Sequence, residues 1–124
     1  MSERNVVGSD AVRTVLYRIV KANPPSVRDF WSQVAKQRSP MRPLPPHLER
    51  LWDGISVYDS EERARTQARR HPRLGRFIAA LLIPERSSLR WEQTTNDPEH
   101  FTIWGDPTDI LACLALVGPV ETTI

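Results

Sequence analysis

Four residues of this chain carry chemistry at positions where a plain strand residue would serve the fold: Arg18, Ser56, Tyr58 and Glu92. Arg18 falls in the middle of "RTVLYRIVK" (13–21), an alternating, β-branched run that reads as a strand. A guanidinium there must find partners, because an unpaired buried charge is costly. Ser56 and Tyr58 stand two apart in "ISVYD", so on a strand both hydroxyls leave the same face and one pocket can use both. Arg18 on a neighbouring strand would supply a strong anion anchor to that pocket. Glu92 lies between Trp91 and Gln93 in "SLRWEQTT" (88–95), again an odd strand position for a charge. A structural alternative pairs Arg18 with Glu92 or Asp59 as an ion pair and leaves the two hydroxyls as ordinary strand residues.

Other chemistry is thinner. His47, His71 and His100 are far apart and show no ligand spacing; His100 is the best placed, at the start of a strand beside the polar turn "TNDPEH". The segment "HFTIWGDP" alternates His100, Thr102 and Trp104 on one face, so Trp104 either walls a pocket or caps the core. There is no GxGxxG, Walker loop, GxSxG or HExxH motif. Cys113 is the single cysteine, which excludes an internal disulfide and suits a reducing compartment.

The elements that must position these residues follow from punctuation and period. "NPP" ends the first strand, because proline cannot continue a ladder. Ser26 with Asp29 predicts a capped helix through about Lys36, with Val27, Phe30, Trp31 and Val34 as its apolar stripe. "RSPMRPLPP" (38–46) predicts an extended, proline-rich connection. "HLERLW" (47–52) predicts a helical turn burying Leu48, Leu51 and Trp52. Gly54 turns the chain into the strand of Ser56 and Tyr58. Asp59 and Glu62 then predict a capping box for a helix to about His71 that buries Ala64 and Ala68. "RFIAALLIP" (76–84) reads as a buried strand, and 88–95 and 100–105 as strands joined by "NDPE". Asp106 and Pro107 open a capped turn before a last strand.

Helices early and strands late predict one small α+β domain, residues 12–124 behind a polar segment 1–11, with a mixed or mostly antiparallel sheet and two to three helices packed on it. Its expected core is Leu16, Ile19, Phe30, Val34, Leu51, Trp52, Val57, Ile78, Leu81, Ile103, Leu114 and Leu116. The 124 residues suit a single core, and 40% hydrophobic with 26% charged content excludes wholesale disorder. No apolar stretch reaches the roughly 18 residues of a membrane span, and the N-terminus lacks an apolar signal region, so a cytoplasmic protein is expected. The net charge of +2 comes from 15 Arg and 2 Lys against 15 acids. Arg63, Arg65, Arg69, Arg70, Arg73 and Arg76 crowd together and are expected to form a solvated face with weak, salt-sensitive affinity for polyanions.

"LYRIV", then "GISVYDSEERARTQA", then a late strand carrying Glu resembles the three-part signature of ADP-ribosyltransferase-like proteins, including the RES-domain toxins, over roughly a third of the chain. In those families an Arg or His on the first strand precedes a Ser- or Tyr-bearing strand joined to a helix, and a Glu follows on a later strand. The resemblance implies an NAD-consuming transferase or NAD glycohydrolase, toxin-like and held in check by a neutralising partner protein. Arg18, Ser56 and Tyr58 would bind NAD: Arg18 the pyrophosphate, Ser56 the ribose, Tyr58 the nicotinamide ring. Glu92, with Tyr58, would be catalytic, holding the ribose 2′-hydroxyl and stabilising the cation formed as the glycosidic bond breaks. Glu92 departs from the pattern in having no Glu or Gln two positions before it. The alternative is a non-catalytic interaction module that uses the arginine patch and the proline-rich connection. A nucleic-acid binder is the weaker third reading, since no recognition motif accompanies the arginines.

Overall fold

A computed structural model describes residues 12–36 and 43–121. Six strands, β1 (Val12–Val20), β2 (Ile55–Tyr58), β3 (Phe77–Pro84), β4 (Arg90–Gln93), β5 (His100–Trp104) and β6 (Leu114–Pro119), form one sheet in the order β4-β5-β2-β1-β3-β6. Every adjacent pair is antiparallel. Three short helices, α1 (Pro46–Trp52), α2 (Glu61–Arg70) and α3 (Pro107–Leu111), complete an α+β domain.

Both faces of the sheet are covered, which follows from the alternation in β1. Leu16 and Val20 join Ile55, Val57, Ala79, Leu81, Ile83 and Ile103 in the larger core, closed by Phe30 of the turn 27–30 and Ile110 of α3. Tyr17 and Ile19 point the other way, with Tyr58 and Ile78, against Ala64 and Ala68 of α2. That helix presents only alanines to the sheet, so it sits close and keeps its arginines at the margin. His71, the 3₁₀ turn Pro72–Leu74 and Gly75 end it.

Several expected elements change. The helix expected through Lys36 is a single 3₁₀ turn, Val27–Phe30, although Ser26 and Asp29 do form the capping box. Trp31 leaves helical geometry at ψ 132°, and Ser32 starts a separate turn by accepting from the Ala35 N–H at 3.1 Å. A hydroxyl that offers the backbone a local partner competes with continued helix. Val34 is thereby 50% exposed rather than in the core, as are Leu116 at 71% and Leu48 at 38%; Leu51, Trp52 and Leu114 are only partly buried. The cap of α2 is Ser60, whose Oγ accepts from the Arg63 N–H at 3.1 Å, not Asp59. Pro46 opens α1 from extended Pro45. Residues 1–11 and most of the connection 38–46 lie outside the described residues. Among the described residues, no helix is long and apolar enough to cross a membrane.

Candidate functional site

The sheet is nearly split between β1 and β2. β1 pairs with β3 along its length, from Val12↔Pro84 to Val20↔Phe77, yet meets β2 at one position, Tyr17↔Tyr58. Where the strands part, the Arg18 side chain takes over the ladder's work. Its Nη1 donates to the Ser56 carbonyl at 2.9 Å, and its Nε donates to the Asp29 carbonyl at 3.2 Å. Arg18 therefore stands on the face of the larger core, and it is tolerated there because the seam offers it backbone acceptors. Burial lowers its pKa to about 10, opposed by the Asp29 carboxylate. It stays charged at physiological pH, and two of its five N–H groups are used by those carbonyls.

A cleft of about 1110 Å³ opens along this seam, and Arg18, Ser56 and Tyr58 all line it. Three of the four residues singled out from the sequence thus border one concavity, Arg18 from the face of the larger core and Ser56 and Tyr58 from the opposite face of the sheet. Ser56 and Tyr58 do leave the same face of β2. Ser56 is exposed, while Tyr58 is 8% exposed and held between α2 and β5. Burial, then the Asp97 carboxylate, raises the Tyr58 pKa, so the phenol stays neutral.

The strand beside β2 is β5, and its register puts Tyr58 opposite His100. His100 Nε2 lies 3.0 Å from Ser56 Oγ, its Nδ1 lies 3.2 Å from Thr95 Oγ1, and its ring centroid is 5.3 Å from that of Tyr58. Burial lowers the His100 pKa below its ordinary 6.5, partly offset by Asp97. A neutral imidazole in contact with a hydroxyl at a cleft margin has the composition of a proton-transfer pair.

Glu92 is elsewhere. It shares the face of Ser56 and Tyr58, but β5 separates its strand from β2. Its carboxylate pairs with Arg50 of α1 at 2.5 Å, both side chains half exposed. The structural alternative of an Arg18–Glu92 or Arg18–Asp59 pair is likewise not what forms: Arg18 holds backbone carbonyls beside Asp29. Glu92 lines a second, more open cleft of about 550 Å³ with Arg50, Asp53, Arg90, Trp91 and Trp104. There the Arg50 guanidinium lies 4.4 Å over the Trp104 ring, and Trp104 Nε1 donates to the Arg50 carbonyl at 2.8 Å. Trp104 is thus a pocket wall. Gly54, which lines the seam cleft, has no room for a Cβ, which would collide with Thr102 Cγ2 and come within 2.8 Å of Trp104 Nε1.

Charge distinguishes the seam cleft from the rest of the surface. Lys21, Arg28, Lys36 and Arg73 line it with Arg18, against one carboxylate, Asp29. Both lysines of the chain are in this group. Asp29 is committed to the backbone N–H groups of Lys21 at 2.9 Å and Ser26 at 3.1 Å. Trp31 and Trp52 add aromatic walls. Besides Arg18, only Arg73 of these cations was singled out from the sequence, as part of the arginine patch, and Trp31 and Trp52 were read as apolar stripe and core; the cations lie scattered over 18–73 among many other arginines. The concentration of lysine at 21 and 36 was the one available sign. Among the described residues, no cluster of His, Cys, Asp or Glu is placed to hold a metal ion.

The arginine patch on α2 is not simply a solvated face. Arg63 pairs with Asp97 at 3.0 Å and Glu99 at 3.6 Å, and Arg69 pairs with Glu121 at 3.0 Å. Arg65 pairs with Glu61 at 2.7 Å and donates from Nη1 to the Pro119 and Val120 carbonyls, both at 2.6 Å, tying α2 to the end of β6. Arg65→Glu should therefore cost about 1–2 kcal/mol in urea unfolding rather than leave the fold unchanged, because it breaks charge-assisted hydrogen bonds and sets two carboxylates at i, i+4. A loss within about 0.5 kcal/mol, the usual range for surface changes, would show that the tie is not formed.

Comparison of this chain with protein-family models, with curated proteins and with solved structures finds no match.

Proposed function

We propose that the chain binds NAD in the seam cleft and breaks its nicotinamide–ribose bond, passing ADP-ribose to water or to an acceptor hydroxyl. The carrying observation is that Arg18, Ser56 and Tyr58 line one cation-rich, aromatic-walled cleft. Arg18 keeps donors for the pyrophosphate, Ser56 is placed for a ribose hydroxyl, and Tyr58 offers a ring to the nicotinamide. A neutral phenol suits the cationic nicotinium less than a phenolate would, so Tyr58 acts by ring contact rather than by charge.

Glu92 lies two strands from Ser56 and is paired with Arg50, and the catalytic role expected of it passes to His100, which meets the cleft through its contact with the Ser56 hydroxyl. As the C1′–N bond breaks, its electron pair leaves with neutral nicotinamide. The attacking hydroxyl forms the new C1′–O bond and surrenders its proton to the neutral His100 imidazole, which Thr95 and Ser56 orient. The toxin-like reading with a neutralising partner protein follows from the same resemblance and adds an expectation that an extract from the source cell would suppress turnover.

The test is calorimetry with NAD, then nicotinamide release with and without cell extract. No heat and no thermal shift at millimolar NAD would sink the reading. His100→Asn should retain NAD affinity and lower kcat by about 10²–10⁴-fold, the usual range for a general base. The wild-type kcat should rise with pH through the His100 pKa and level off. Since burial holds that pKa down, the midpoint belongs below 6.5, and the acid limb should vanish in the variant.

A further inference from the structure

The seam cleft carries more positive charge than NAD requires. NAD brings two phosphate charges, and its nicotinium ring cancels part of them. The cleft presents five cationic side chains, Arg18, Lys21, Arg28, Lys36 and Arg73, and its one carboxylate, Asp29, is already engaged by backbone N–H groups. Among the described residues, Lys21, Arg28 and Arg73 enter no ion pair with a carboxylate. The arginines of α2 show the opposite habit, since Arg63, Arg65 and Arg69 each take an acidic partner. Like charges such as Lys21, Arg28 and Arg73 around one concavity repel one another, and a bound polyanion relieves that repulsion.

The cations are also placed beside a surface for a base. The Arg28 guanidinium lies 5.2 Å from the centroid of the Trp31 ring, and both line the cleft. Lys21 is joined to the same corner through its backbone N–H on Asp29. An aromatic ring with a guanidinium over it, in a cleft that Lys21 also lines, matches an adenosine end whose ribose carries a phosphomonoester. Base stacking and a charge-assisted phosphate contact would then be made together.

We infer that the seam cleft prefers a dinucleotide with a third phosphate on its adenosine ribose, as in NADP, and that Arg28 and Lys21 hold that phosphate. The inference rests on the dinucleotide reading above and names its substrate. Arg18 serves the pyrophosphate, nearer Ser56, while the monoester occupies the Arg28–Trp31 corner.

Calorimetry of the full chain with NADP⁺ and with NAD⁺ tests this. NADP⁺ should bind about tenfold tighter or more, the size of one added charge-assisted contact. Arg28→Ala should lower NADP⁺ affinity more than NAD⁺ affinity and close most of that gap. Lys21→Ala provides a second variant whose side chain is exposed and whose fold contact is made by its backbone. Adenosine 2′,5′-bisphosphate and adenosine 3′,5′-bisphosphate, each set against AMP, distinguish which ribose hydroxyl carries the phosphate. Equal affinity for the two dinucleotides, or a preference for NAD⁺, overturns the inference and leaves the NAD reading standing. Binding of a bisphosphate without binding of either dinucleotide supports the monoester corner and overturns the NAD reading. Absence of binding by every probe overturns both.

Discussion

Arg18→Ala is expected to abolish measurable NAD binding in calorimetry while the chain still folds. The guanidinium joins the two halves of the sheet through the Ser56 carbonyl and ties the 27–30 turn to β1 through the Asp29 carbonyl. Its removal takes away the charge that positions the pyrophosphate. It also frees β2 to move relative to β1, since only Tyr17↔Tyr58 then joins them. Each charge-assisted hydrogen bond lost to the pyrophosphate is worth about 1.5–3 kcal/mol, so a bidentate contact accounts for at least about a hundredfold in affinity. The carbonyls left behind face an open cleft and can be hydrated, which keeps the fold cost well below that of an orphaned buried group. Arg18→Lys separates the two roles. It keeps the charge but loses the rigid fork, so binding should weaken without disappearing. Affinity in Arg18→Ala within threefold of wild type would remove Arg18 from the site.

Leu81→Ala is expected to cost about 2–5 kcal/mol in urea unfolding, a large part of the 5–15 kcal/mol that holds a typical domain together. Leu81 is fully buried on β3, the strand between β1 and β6, and faces Leu16 across the ladder. Phe30 and Ile110 close the same core from above, so the lost side chain leaves a cavity that neighbours on three elements would have to fill. A loss below about 0.5 kcal/mol would mean that this core does not pack as described, and with it the corner that carries Arg28 and Trp31.

The chain's local order was legible in its residues. Alternation over 13–21 and the short continuous apolar run of 76–84 mark two strands that the structure places side by side, because a half-buried and a fully buried strand are read by those two patterns. Caps at Ser26 and Asp106, the break at "NPP", and the turn at Gly54 were readable for the same reason: each depends on a side chain and its own nearby backbone. So was the shared face of Ser56 and Tyr58, which the two-residue spacing alone imposes. Where two local partners competed, the reading failed. Ser60 won the cap from Asp59, and Ser32 ended the helix expected through Lys36.

Strand order was a different kind of fact. Nothing near Glu92 or His100 in the chain says which of β4 and β5 lies beside β2; that is settled by which arrangement buries both faces of the sheet at once. The outcome places His100 against Ser56 and sends Glu92 to Arg50, two strands from where its role was expected. The single-pair contact between β1 and β2 is equally non-local, and it opens the seam that Arg18 fills. Once the seam exists, Lys21, Arg28, Lys36 and Arg73 meet around it although up to 52 positions separate them. Sequence spacing carries no information about that convergence, because a charge on a surface segment constrains no local conformation. Only the packed sheet brings those charges to one cleft.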